Sequence, residues 1–292
     1  MNVRLRRARQ GSCIWLALAL LAWPGGAPAA EPGVQLTDVG LTGEFIQGGL
    51  IVGQTRPGAT VELNGRSVRV APDGQFLFGF GRDAEAPAVL VIRDPEGGQE
   101  VRELTVAARS YEVQVIEGLP DAQVMPPPDA EPRIARDAAK VAAARARDTA
   151  QVWFRAGFIM PVDGPLTGVY GSNRVLNGQP RQPHFGIDIA AASGAPVRAA
   201  AAGQITLAER DLYYTGGTII IDHGHGLSST YSHLDQVLVA AGAVVAKAAV
   251  IGTVGQTGRA SGPHLDWRVN WFEVRLDPEL VLSAALSSGP GK

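Results

Sequence analysis

The chain has 292 residues, 46% of them hydrophobic, with 26 Lys and Arg against 28 Asp and Glu and a single cysteine. That length accommodates one or two domains, and the near balance of charge leaves no basic footprint for nucleic acid. One cysteine excludes an internal disulfide and a thiolate metal cluster, so a metal ion must be held by His, Asp or Glu.

The first element reads as an export signal over residues 1–30. Arg4, Arg6, Arg7 and Arg9 precede an apolar stretch from Ile14 to Trp23, which runs into small residues with Ala27-Pro28-Ala29 as the cleavage site. The stretch is too short to span a bilayer, so no stable membrane insertion is expected and the mature protein is periplasmic or secreted. Cys13 leaves with this segment. Taking its four arginines from the 26 basic residues leaves 22 against 28 acidic ones. An acidic surface adheres poorly to an anionic cell wall, so recognition has to be local to a cleft.

Residues 31–118 read as a small all-β domain. VELNGRSVRV alternates on both sides of Asn64-Gly65, a strong hairpin signal. A Pro-Asp-Gly turn follows in APDGQFLFGF, and AVLVIRDPEGGQEVRELTV gives two more strands about Asp94 to Gly98. Strands at this spacing predict an immunoglobulin-like β-sandwich. It carries no catalytic constellation, so a scaffold role is expected, with binding of a cell-envelope protein partner as the sharper alternative.

Residues 119–150 form a linker and a helix. LPDAQVMPPPDAEP is Pro-rich and extended, while Arg133 to Thr149 is Ala-rich and predicts a helix with Pro132 in its first turn. Ile134, Ala138, Val141 and Arg145 share a stripe, which predicts weak packing on a domain surface. Residues 151–284 form a β-rich domain, and 285–292, ending SSGPGK, a disordered tail.

All five histidines fall between His184 and His264, three of them in three short strings: HFGID at 184–188, TYSHLD at 230–235 and GPHLD at 262–266. Read as strands, HFGID puts His184 and Asp188 on one face, and HLDWRV does the same for His264 and Asp266. Neighbouring strands then offer two imidazoles and two carboxylates to one cleft. Catalytic zinc takes three such ligands and leaves a fourth position for water. His223 and His225, in a Gly-rich turn after a buried strand, are expected to be solvated or locally hydrogen-bonded, outside the site. Trp267 and Trp271 are expected in the core or a cleft wall.

These motifs resemble the lysostaphin-type (LytM-domain) zinc metallopeptidases, the family of peptidoglycan endopeptidases. The resemblance runs from about Phe158 to Leu280 and includes VYGSNR, HFGIDIAAASGAPVRAAAAGQI, GGTIIIDHGHGLSSTYSHLD and IGTVGQTGRASGPHLDWRVNW. It implies a zinc ion on His184, Asp188 and the residue at 266, and catalytic roles for His233 and His264. The family's last motif is usually HLH, whereas here Asp266 stands where the third ligand His is expected. Asp is itself a competent zinc ligand. The implied function is hydrolysis of peptide cross-links between peptidoglycan stems. The alternative is a LytM-like domain of reduced catalytic power that activates a cell-wall amidase.

Overall fold

The structure is a computed structural model that describes residues 39–118, 125–284 and 286. The export signal, residues 119–124 of the linker and the SSGPGK tail lie outside the described residues. The fold is mostly β, as the turn and alternation signals predict.

The first strands are β1 (Gly40–Gly43), β2 (Leu50–Gln54), β3 (Thr60–Leu63), β4 (Arg66–Val68), β5 (Gln75–Gly79), β6 (Ala88–Arg93) and β7 (Gln99–Leu104). They form two antiparallel sheets, one in the order β1-β2-β5 and one in the order β4-β3-β6-β7. The β3–β4 hairpin turns at Asn64 (φ 49°) and Gly65 (φ 77°), the paired left-handed conformation for which Asn-Gly is suited. Val61, Leu63, Leu90 and Ile92 from one sheet and Leu50, Val52, Phe76 and Phe78 from the other belong to the same buried cluster.

This region is joined closely to the strands of the second half of the chain. Strand β8 (Val113–Ile116) pairs in parallel with a later strand, β10 (Asn173–Leu176). Arg66 lies over the Phe272 ring at 4.2 Å and pairs with Glu273, and Arg109 Nη1 reaches Asp277 at 2.7 Å. Gly79 lies so close to Leu276 that an added Cβ would sit 2.3 Å from its Cδ2. The buried cluster accordingly continues from the first two sheets into the large one.

The helix is α1 (Glu131–Arg145), with Pro132 in its first turn. It stops short of Thr149 because the chain there turns to hold the next sheet: the Thr149 hydroxyl donates to Asp222, and its carbonyl accepts from His225 N–H. Nor is its packing weak. Val141 and Ala144 pack with Leu207, Leu212 and Ile220, and Arg145 is buried.

The remaining strands are β9 (Leu166–Gly168), β10, β11 (Gln179–Arg181), β12 (Ile187–Ala190), β13 (Pro196–Arg198), β14 (Gly203–Leu212), β15 (Gly216–Gly224), β16 (Leu227–Val237), β17 (Val244–Val245), β18 (Val250–Val254), β19 (His264–Trp271) and β20 (Val274–Leu276), followed by helix α2 (Pro278–Ser283). The large sheet runs β17-β14-β15-β16-β19-β12-β9, with β18 also on β16 and β20 on β19. Strand parity divides its residues. Ile187, Ile189, Leu265, Trp267, Val269, Ile219, Ile221 and Tyr231 all enter the apolar core, which places Trp267 and the nearby Trp271 there too. The opposite face carries the polar residues.

Candidate metal centre

Strands β12, β19 and β16 lie side by side, and their pairing aligns the polar residues into rows. Asp188 stands directly opposite Asp266, which stands opposite Ser232 on its other side; Arg268 faces Thr230 and Asn270 faces Ser228. His264, Asp266, Arg268 and Asn270 alternate with the core residues of β19, so they share the second face. Asp266, Asn270, Ser228, Thr230 and Ser232 are nonetheless buried. A polar layer so shielded needs partners for its charges.

His184 reaches the same point by a different route. It precedes β12 and lies outside any strand, so the strand-parity reading of HFGID holds for Asp188 only. Two backbone hydrogen bonds place it instead: its N–H donates to the Ser172 carbonyl, and its own carbonyl accepts from Gly171 N–H. The ring is 2% exposed and neither nitrogen is hydrogen-bonded, although Nε2 lies 3.2 Å from Asp188 Oδ1. One ligand atom each from His184, Asp188 and Asp266 falls within 4.8 Å of the others. One imidazole nitrogen left without a hydrogen-bond partner and two carboxylates at that spacing fit a divalent cation such as zinc.

The two other histidines stand beside this group. A register shift between Tyr231 and Leu234 puts His233 at φ 65°, and its ring centroid lies 4.8 Å from that of His264. His233 Nδ1 donates to the Thr257 carbonyl and His264 Nδ1 to that of Gly262, each at 2.8 Å. Those bonds fix the tautomer, leaving Nε2 as the available base. His264 Nε2 is 3.8 Å from Asp188 Oδ1. Burial, together with the neighbouring His264, lowers the His233 pKa below the ordinary imidazole value despite the pull of Asp266. His233 is therefore neutral near pH 7.

Arginines hold both carboxylates. Arg174 Nη2 donates to Asp188 Oδ2 at 2.8 Å. Arg268 Nε donates to both oxygens of Asp266, at 2.8 and 3.1 Å, and its Nη2 donates to Oδ2 as well. Burial pushes the Asp266 carboxyl up, but the charge and hydrogen bonds of Arg268 outweigh it and hold the group well below the usual carboxylate range. Arg145, brought by the end of α1, donates to Thr230 Oγ1 in the same layer. Strand parity in HLDWR would have revealed Arg268, two residues beyond Asp266. Arg174 and Arg145 show no such signal, because tertiary packing brings them in.

Two glycines make the space. A Cβ on Gly168 would lie 2.3 Å from Asp188 Oδ2, and one on Gly186 would lie 2.5 Å from both Arg268 Cγ and the Trp267 carbonyl. His223 and His225 stay outside the group but are not solvated: both are buried where β15 ends. His223 lies 2.7 Å from both the Ala202 carbonyl and Ser229 Oγ, and His225 packs edge-on to Phe154.

Residues 182–278 match Peptidase family M23. The chain is 46% identical over 98 residues to the DD-carboxypeptidase/endopeptidase Mpg of Neisseria meningitidis, covering 34% of this chain and 21% of that protein. It is 37% identical over 109 residues to the peptidoglycan DD-endopeptidase ShyB of Vibrio cholerae, covering 36% and 25%. The chain thus spans about a fifth to a quarter of the length of these relatives. A crystal structure of a Pseudomonas aeruginosa protein assigned to peptidase M23 superposes over 82% of this chain and 95% of its own, with TM-score 0.64 and 28% identity.

Proposed function

We propose that the protein, whose residues 182–278 match Peptidase family M23, is an exported zinc metalloendopeptidase that hydrolyses peptide cross-links of peptidoglycan. The observation that carries this reading is the convergence of His184, Asp188 and Asp266, with two histidines in their base-ready tautomer alongside. The names of the Neisseria and Vibrio relatives support the substrate class.

His184, Asp188 and Asp266 would hold a zinc ion, which when bound would supply Lewis-acid polarisation of a carbonyl and activate a water. His233 Nε2, neutral because its ring is buried, accepts the proton of the attacking water. His233 Nε2 then returns that proton to the leaving amine, and His264, whose Nε2 lies on the same side as Asp188, donates toward the oxyanion only in its doubly protonated form. Their Nδ1 bonds to backbone carbonyls hold both rings oriented through the reaction. Asp188 keeps Oδ1 turned toward the imidazoles while Arg174 holds its other oxygen. The first two sheets supply no group to this chemistry. Their role is that of a scaffold joined to the second half of the chain through Arg66 and Arg109, and they offer a surface for a cell-envelope partner.

The test is incubation of the purified, zinc-supplemented protein with soluble cross-linked muropeptides, followed by mass spectrometry of the products. Conversion of dimers to monomers by cleavage of a peptide bond is expected. A zinc-loaded protein that leaves the dimers intact would contradict the reading and point to a non-catalytic domain that activates an amidase.

A further inference from the structure

Asp188 and Asp266 face each other across β12 and β19, yet their arginines treat them differently. Arg174 takes one oxygen of Asp188 and leaves Oδ1 toward His184 and His264. Arg268 lies side-on to Asp266 and takes both oxygens. A carboxylate has about four lone-pair sites, and a forked guanidinium occupies the pair that faces it. The Asp266 side chain is 3% exposed and that of Arg268 23%, so water competes little for this contact. Arg145 and Arg275, both largely buried near Asp266 and Arg268, add further positive charge that the described acidic residues there do not balance.

From this asymmetry we propose that Arg268 and a divalent cation compete for Asp266, so that Arg268 sets the metal affinity of the centre. The inference rests on the reading of His184, Asp188 and Asp266 as metal ligands. The guanidinium does for Asp266 what a cation would do: it neutralises a buried carboxylate and satisfies both its oxygens. Binding of zinc then requires Arg268 to swing off Asp266, or requires the ion to sit beside a fixed positive charge on the remaining lone pairs. Either route weakens binding. Arg174 imposes much less of this cost, because Asp188 Oδ1 stays available.

The opposite role is a positioning one, in which Arg268 orients Asp266 for the metal. Loss of such an outer partner typically lowers affinity by about 10–100-fold. The two roles predict opposite signs. Zinc affinity is measured by competition with a chromophoric indicator, for the wild-type protein, Arg268→Gln, Arg268→Lys and Asp266→Asn, alongside thermal melts with chelator and with zinc. Competition predicts that Arg268→Gln binds zinc at least about tenfold more tightly than wild type, on the scale of such outer contacts but in the other direction. It also predicts a lower melting temperature in chelator and a larger rise on adding zinc. Arg268→Lys, whose ammonium lacks the fork, should fall between the two and serves if Arg268→Gln does not fold. Weaker or unchanged binding in folded Arg268 variants, with binding lost in Asp266→Asn, overturns the competition and leaves the metal site standing. No binding by wild type or any Arg268 variant overturns both.

Discussion

The two faces of the large sheet are made by the same strands and behave as different materials. On β19, Leu265, Trp267, Val269 and Trp271 enter an apolar core, while His264, Asp266, Arg268 and Asn270 line the second face between β12 and β16. The first face is stabilised by burial and close packing. On the second, the carboxylates of Asp188 and Asp266 are kept out of water by their paired arginines. Core residues should therefore be read out in stability, and polar-layer residues in activity and metal binding.

The largest effect expected is on the core face. Trp267→Ala removes a fully buried indole and should cost about 3–5 kcal/mol, seen as a large fall in denaturation midpoint. On the polar face, His233→Ala should leave the circular dichroism spectrum and zinc content unchanged while lowering the muropeptide cleavage rate by roughly 10²–10⁴-fold. Because burial lowers the His233 pKa, the acid limb of its pH–rate profile should lie below the ordinary imidazole value. Gly168→Ala sharpens the division further. The three atoms nearest its new Cβ all belong to the Asp188 side chain, so it should lower zinc affinity by roughly 10–100-fold.

Smaller effects are expected of groups away from the layer. Burial lowers the pKa of His223 from 6.5 to about 4, so the folded state keeps it neutral while the unfolded chain protonates. Its contribution is fully present above pH 6.5 and is lost as pH falls toward 4, which a melting series across that window would show. His225, lowered likewise to about 4, adds to the same trend. Arg66→Ala, which removes a half-exposed ion pair and a ring contact, should cost at most about 1 kcal/mol.

Much of this division is written in local sequence. Alternation in HLDWRVNW assigns β19 to two faces, and Asn64-Gly65 fixes a hairpin because few residue pairs accept two left-handed conformations. The histidine and aspartate strings mark the residues that the fold brings together. Other features depend on packing between distant segments. The shift at His233 arises from pairing with β15, His184 is placed by the Gly171–Ser172 turn, and α1 ends early because Thr149 is drawn to Asp222. The pairing of β8 with β10 joins residues about sixty apart, which no periodicity signals. His223 and His225 sit in a Gly-rich stretch typical of solvated turns, yet the strand continues to Gly224 and takes in His223, and His225 in the turn just beyond is buried too.

We propose above that the polar face holds a divalent cation on His184, Asp188 and Asp266. Its most direct test is a crystal of the protein soaked in excess zinc, with diffraction recorded on either side of the zinc absorption edge. One anomalous peak within bonding distance of those three side chains is expected. Full data with no peak there would contradict the proposal.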